Sequence, residues 1–226
     1  MPDPEKTPPA ESSPAKILQV AVSMAKTYLV QGREVSTGIF KDPIVGKVAL
    51  RTLNLDGDQQ ADLTVHGGVD KAVYTYPSEH YSYWRGEYPD KEIEFGGFGE
   101  NLTTEHLLET EVCIGDEFQA GTAIIRATQP RLPCYKLGIR FGRPDIIKRF
   151  MRSGRSGIYF SVLKEGELES GDQIIRIKSD PDQITVSEVA HLFNQKQPDR
   201  KRIEKILHSG LADQMKMFVS GLIYQR

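Results

Sequence analysis

The chain has 226 residues, of which 38% are hydrophobic and 27% charged, with a formal net charge of −2. That is enough apolar material for one large core, and too little positive charge to hold nucleic acid by phosphate contacts. No apolar run approaches the roughly 20 residues that span a bilayer and the N-terminus has no hydrophobic signal core, so the expectation is a cytoplasmic protein with neither membrane nor nucleic acid as partner.

Residues 1–16 carry prolines at 2, 4, 8, 9 and 14 among small polar residues, a composition with nothing to bury, and read as a disordered tail. From Ile17 the pattern becomes a series of short β-branched and apolar runs. Strands are expected at 17–22, 44–50, 72–76, 111–114, 123–127, 157–163 and 173–177, each bounded by glycine or charge. Helices are expected at about 77–86, with Pro77 in the first turn, and at about 144–152, opened by Pro144 and Asp145. Many strands with few helices imply a closed or nearly closed β-barrel, the arrangement that hides sheet edges.

After Ser179-Asp180-Pro181-Asp182 the periodicity turns helical. Thr185 and Glu188 form a capping box ahead of Val186, Val189 and Phe193. A second helix follows Asp199 with Ile203, Ile206 and Leu207 and stops at Gly210, and a third carries Leu211, Met215, Phe218, Val219 and Leu222. The fold expected is α+β and predominantly β: a barrel over 17–179 followed by a small three-helix domain over 180–226. Three short helices invite a helix-turn-helix reading. Residues 180–226 hold seven Lys/Arg against six Asp/Glu, too even a balance for a phosphate-binding surface, so the segment is read as a docking or oligomerisation appendage, with a homodimer one outcome.

The chemistry concentrates on Cys134, in Gln129-Pro130-Arg131-Leu132-Pro133-Cys134-Tyr135-Lys136-Leu137-Gly138-Ile139-Arg140. Prolines stiffen the backbone ahead of the thiol, and Arg131, Lys136 and Arg140 surround it with charge that favours thiolate, which is a nucleophile or a metal ligand. A free cysteine is otherwise a small buried hydrophobe, the role assigned to Cys113, which has no basic or proline context. His66, in Val65-His66-Gly67-Gly68, is the best candidate general acid, its alternative being a hydrogen-bonded structural histidine. Asn101, in Gly99-Glu100-Asn101-Leu102, can both donate and accept towards a ligand, or serve as a turn residue. Asp58 and Asp62 either orient the His66–Lys71 loop or cap its turns. His80 with Tyr76, Tyr81, Tyr83 and Trp84 is read as core. Two cysteines and scattered histidines lack the spacing of a zinc site.

The run from Asp56 to Tyr74, with His66-Gly67-Gly68-Val69-Asp70-Lys71 at its centre, followed by Tyr76-Pro77-Ser78-Glu79-His80-Tyr81, Phe98-Gly99-Glu100-Asn101-Leu102 and the proline-flanked Cys134, resembles the MOSC domain of molybdenum-cofactor sulfurases. Within that family it resembles the stand-alone bacterial YiiM-type members, over nearly everything after about residue 16. The resemblance implies the barrel fold, a molybdenum ion in a pterin dithiolene cofactor with Cys134 as its protein ligand, and reduction of N-hydroxylated compounds such as hydroxylaminopurine base analogues. The cofactor's phosphate needs cations, for which Lys71, Arg131, Arg140 and Arg155 are candidates, with Ser153-Gly154-Arg155-Ser156-Gly157 as a possible anion nest. With no dinucleotide fingerprint and no Fe–S cysteine set, electrons are expected from a separate donor protein. Two other classes fit an activated thiol: a cofactor carrier or sulfur-transfer module without turnover, and a cysteine hydrolase using Cys134 with His66.

Overall fold

Strand alternation and short glycine-bounded segments build a barrel. In the computed structural model, which describes residues 14–60 and 67–223, the elements run β1 (Ala15–Val22), β2 (Lys26–Val30), β3 (Arg33–Thr37), β4 (Asp42–Ile44), β5 (Val48–Leu50), β6 (Val73–Pro77), α1 (Glu79–Glu87), β7 (Leu102–Glu105), β8 (Glu117–Ala120) and β9 (Ala123–Pro130). They continue with α2 (Tyr135–Phe141), α3 (Ile146–Ser153), β10 (Ile158–Lys164), β11 (Gly166–Leu168), β12 (Gln173–Lys178), α4 (Val186–Leu192), α5 (Arg200–His208) and α6 (Asp213–Gly221). Seven strands close on themselves in the order β12-β8-β9-β10-β6-β7-β1, with β1 pairing back onto β12. Every pair in the ring is antiparallel except β6 with β7. Strand β4 lies on β1 outside the ring, β5 pairs with β11, and β2 and β3 form a separate hairpin.

Closure places Ile17, Val20, Val73, Leu102, Ile125, Ala127, Ile158 and Phe160 inside, all fully or almost fully buried. On one flank a second cluster, Tyr76, Tyr81, Trp84, Tyr88, Phe98, Phe141 and Phe150, packs α1, α2 and α3 together. His80 borders it, 2.8 Å from the buried Glu109. The C-terminal helices are not cored separately: Val186, Val189, Ile203, Ile206, Met215 and Val219 belong to the same apolar cluster as Ile114, Phe118 and Ile125 of the barrel. Thr185 caps α4 by accepting from the Glu188 N–H at 3.1 Å, one half of a capping box, while the Glu188 carboxylate pairs with Arg202.

Several local expectations need correction. The tail reading extended too far, since Ala15 and Lys16 already pair with Ile174 and Gln173; positions 1–13 lie outside the described residues. Segment 44–50 is broken, because Gly46 turns at φ +84° and Val45 is fully exposed. Segment 111–114 is not a strand: Val112 and Ile114 exchange single hydrogen bonds with Val186 and Ile184 and Cys113 makes one isolated bridge to Thr185. Pro77 closes β6 and does not open α1. Helix α2 was not anticipated at all.

Candidate functional site

The peptide leaving β9 runs through Arg131, Leu132 and Pro133 to Cys134, the N-cap residue of α2, in an extended conformation (φ −115°, ψ 171°). Leu137 and Phe141 bury the inner face of α2, so the thiol is fixed where the helix begins. Neither cysteine is in a disulfide; Cys113 is buried and Cys134 half-buried. Burial, together with Asp116, pushes the Cys113 thiol up, away from thiolate, as a packing residue should be.

Cys134 opens onto a cleft of about 100 Å³ that gathers residues from distant parts of the chain: Lys71, Asn101 and Arg131, with Lys41, Asp58 and Lys136. Arg131 is 7% exposed. Its guanidinium lies 4.8 Å from the Tyr74 ring centre and 5.8 Å from that of Phe150, and donates to the Phe98 carbonyl. Burial opposes its charge, but Tyr74, Tyr159 and the Cys134 thiol act the other way and the net shift is upward, so Arg131 stays cationic beside the thiol. Burial raises the Tyr74 and Tyr159 phenols, so neither puts a negative charge next to the arginine.

The loop that carries the Phe98 carbonyl is held through its N–H groups by a buried carboxylate. Glu100 accepts from the N–H groups of Gly96 at 2.9 Å and Phe98 at 3.1 Å, from the Thr103 hydroxyl at 3.0 Å and from the Tyr81 hydroxyl. Gly99 sits at φ +81°, where a Cβ would fall 2.7 Å from Ile39 Cγ1. Only glycine lets this loop come so close to the Ile39–Lys41 segment.

Lys41 and Asp58 form an ion pair in the cleft with side chains 8% and 3% exposed. Asp58 also accepts from the Ser23 N–H at 2.8 Å and from Asn101 Nδ2 at 2.9 Å. Desolvation lowers the Lys41 pKa, with Asp58 opposing it. Asn101 lines the cleft, but its amide is engaged internally: Oδ1 accepts from the Tyr74 N–H at 3.1 Å while Nδ2 serves Asp58. The Asn101 amide thus serves neighbouring residues, with no left-handed turn at this position, and Asp58 is the hub linking Lys41, Ser23 and Asn101.

Lys71 ends a short 3₁₀ turn, Val69–Lys71, behind Gly68. Its ammonium donates to Gln214 Oε1 of α6, so the C-terminal helices reach the cleft wall. Burial lowers the Lys71 pKa and Asp70 raises it.

Two proposed cations are elsewhere. Arg140 lies over the Phe40 ring at 5.1 Å and borders a different cavity with Lys91, Glu92 and Phe141. Arg155 stacks on Tyr83 at 3.9 Å and donates to the Ser153 carbonyl at 3.3 Å. The glycine turn at 153–157 is not an open nest either: the Gly157 N–H donates to Glu109 Oε1 at 2.6 Å, so the chain supplies its own anion there. His66 and Asp62 fall outside the described residues. Sequence reasoning missed Lys41 and Glu100, although Glu100 stands in the same short motif as Asn101.

Among the described residues no cluster of three or more His, Cys, Asp or Glu is placed to hold a metal ion. The donor set fits a group that brings its own ligands and needs one thiolate and several cations, as an anionic sulfur-rich metal cofactor does.

Comparison with known proteins supports this reading of the fold. Residues 62–175 match the model of the MOSC domain family. The protein YiiM of Escherichia coli (strain K12) is 41% identical over 156 residues, 68% of this chain and 69% of that protein. A Gibberella moniliformis protein named "Reductase" is 37% identical over 164 residues, 71% of this chain but 29% of its own length. The crystal structure of YiiM from Geobacillus stearothermophilus superposes with a TM-score of 0.77 at 30% identity, covering 93% of this chain and 100% of that one. The chain thus belongs to the MOSC domain family.

Proposed function

We propose that this protein is a molybdenum-cofactor-dependent reductase of N-hydroxylated compounds, with Cys134 as the protein ligand to the metal. One observation carries the reading: a single thiol converges with Lys41, Lys71, Arg131 and Lys136 on one cleft. Membership of the MOSC family and a relative named as a reductase support the oxidoreductase class. When bound, the cofactor supplies two-electron redox chemistry and an acceptor for the substrate oxygen. In the net reaction R–NH–OH takes up two electrons and two protons, its N–O bond breaks, and amine and water leave. The electrons come from a separate carrier protein.

The chain's own residues then have distinct tasks. Cys134 ligates from a backbone stiffened by Pro130 and Pro133. Arg131, immobilised by the Phe98 carbonyl and the Tyr74 ring, offsets negative charge at the thiol. Lys71 and Lys136 extend that positive wall. Lys41, its ammonium held in place by Asp58 and its pKa lowered by burial, is one candidate to hand over a proton in the cleft, beside the general-acid candidate His66. Asn101 positions Asp58 and Tyr74.

The test is metal analysis and turnover of protein made in a host that synthesises molybdopterin. Wild type and Cys113→Ser should hold stoichiometric molybdenum and reduce 6-hydroxylaminopurine with reduced methyl viologen, whereas Cys134→Ser should retain neither metal nor activity while staying folded. Metal without turnover would make the protein a carrier, and absence of metal from the wild type would remove the proposal.

A further inference from the structure

Beside the Cys134 cleft runs a second cavity, about 660 Å³, between the β2–β3 hairpin and α2. It is the size of an ordinary small-molecule site, about 300–1,000 Å³. Its two walls continue those of the cleft. On β3, Arg33 and Val35 line the cavity and Thr37 lines the cleft; alternate residues share a strand face. On α2, Cys134 and Lys136 line the cleft while Tyr135, Gly138, Ile139 and Gly142 line the cavity, a spacing that keeps the last four on one helix face. The cavity therefore lies next to the cleft along both β3 and α2.

Its lining calls for an apolar, flat occupant. Leu29 is 76% exposed and Tyr135 59%, large apolar surfaces left facing the gap. Gly138 is informative. A Cβ there would meet Pro144 Cα at 3.5 Å and the Arg143 carbonyl at 3.6 Å, ordinary contacts, so packing tolerates alanine, and alanine is the better helix former. Stability therefore does not account for this glycine, but a helix surface kept low for a ligand does. Arg33 stands four residues from Thr37, a separation of about 13 Å along an extended strand, on the scale of the full length of a 6-substituted purine nucleoside monophosphate from substituent to phosphate.

Resting on the reductase reading, we propose that cleft and cavity act together as one channel for the substrate, a flat N-hydroxylated heteroaromatic whose N–OH enters the Cys134 cleft, whose body lies in the cavity and whose anionic end reaches Arg33. Tyr135 and Ile139 cover the ring faces, and the hairpin forms the opposite wall.

Binding to the full chain without reductant tests this apart from turnover. Isothermal titration would compare 6-hydroxylaminopurine with its ribonucleoside 5′-monophosphate. The monophosphate should bind roughly tenfold tighter. Arg33→Glu should abolish that advantage and leave the free base unaffected. Leu29→Asp, at an exposed position, should weaken both ligands and raise KM with kcat unchanged. Gly138→Ala should raise the urea midpoint yet weaken both ligands, a combination a purely structural glycine would not give. The same pattern in protein that holds no molybdenum would support the channel while the reductase reading failed. Affinities unmoved by all three substitutions would overturn the proposal. So would a two-chain mass in ultracentrifugation that Leu29→Asp reduces to one, which would assign the channel to a second copy.

Discussion

Tyr88 is fully buried under two guanidinium groups, those of Arg143 at 5.1 Å and Arg149 at 5.5 Å from its ring centre. Burial and the Asp145 carboxylate nevertheless push its phenol up to about 12. An unfolded tyrosine ionises near 10, so above that pH the unfolded state loses this proton first. The stability Tyr88 contributes is complete below pH 10 and is lost as pH rises towards 12, by up to about 2–3 kcal/mol. Urea unfolding from neutral to alkaline pH should give Tyr88→Phe a shallower decline than wild type; identical slopes would remove the argument. The other buried tyrosines, Tyr74 and Tyr81 among them, also have raised phenols, and remain in both proteins as a common background. Asn101 teaches a second lesson at this scale. Its chemistry as a donor and acceptor was readable from the sequence, but the partners that use it, Asp58 and the Tyr74 backbone, come from residues 43 and 27 positions away.

Local signals survived into the structure where they acted locally. The Thr185–Glu188 cap is a contact over three residues and was legible, as were the long apolar strands. The β2–β3 hairpin was not, because the exposed polar residues Lys26, Thr27, Arg33, Glu34 and Ser36 leave Tyr28-Leu29-Val30 as its longest apolar run, too short to mark a strand. Helix α2 was masked by Gly138, and its end by Gly142 at φ +65°. In the cleft, charge told which residues could bind an anion but not where they point: Lys71 and Arg131 line it, whereas Arg140 and Arg155 stack on rings elsewhere. The shared core also bears on whether the helices are a domain. Thr185→Ala should cost about 1 kcal/mol. Because α4 packs into the barrel's own cluster, that loss should move Trp84 fluorescence and far-ultraviolet circular dichroism together in one urea transition. Two separated transitions would show that the helices fold independently.

For the whole molecule, the same packing makes the C-terminal fifth hard to remove. Truncation after residue 179 would strip Val186, Ile203, Ile206, Met215 and Val219 from the cluster they share with Ile114 and Ile125, and would take Gln214 from Lys71. The expected outcome is an aggregated or partly folded product by size exclusion and circular dichroism. A monomeric barrel that still binds molybdenum would instead show that the helices are a separable appendage. Among the described residues no helix is long and apolar enough to cross a membrane.

The ring of strands closes by a short seam, Ala15 with Ile174 and Lys16 with Gln173, which joins the first strand to the last. Contacts so distant in sequence form late, because a long loop must be closed before they repay its entropy. During synthesis, therefore, the N-terminal end of β1, Ala15–Ile17, waits with one edge unpaired until nearly four-fifths of the chain has been made, β4 covering only Val20–Val22 on that side. In that interval it is a bare template for pairing with another nascent chain. The seam makes the order of translation, as much as the native contacts, a determinant of whether this protein reaches its barrel or aggregates.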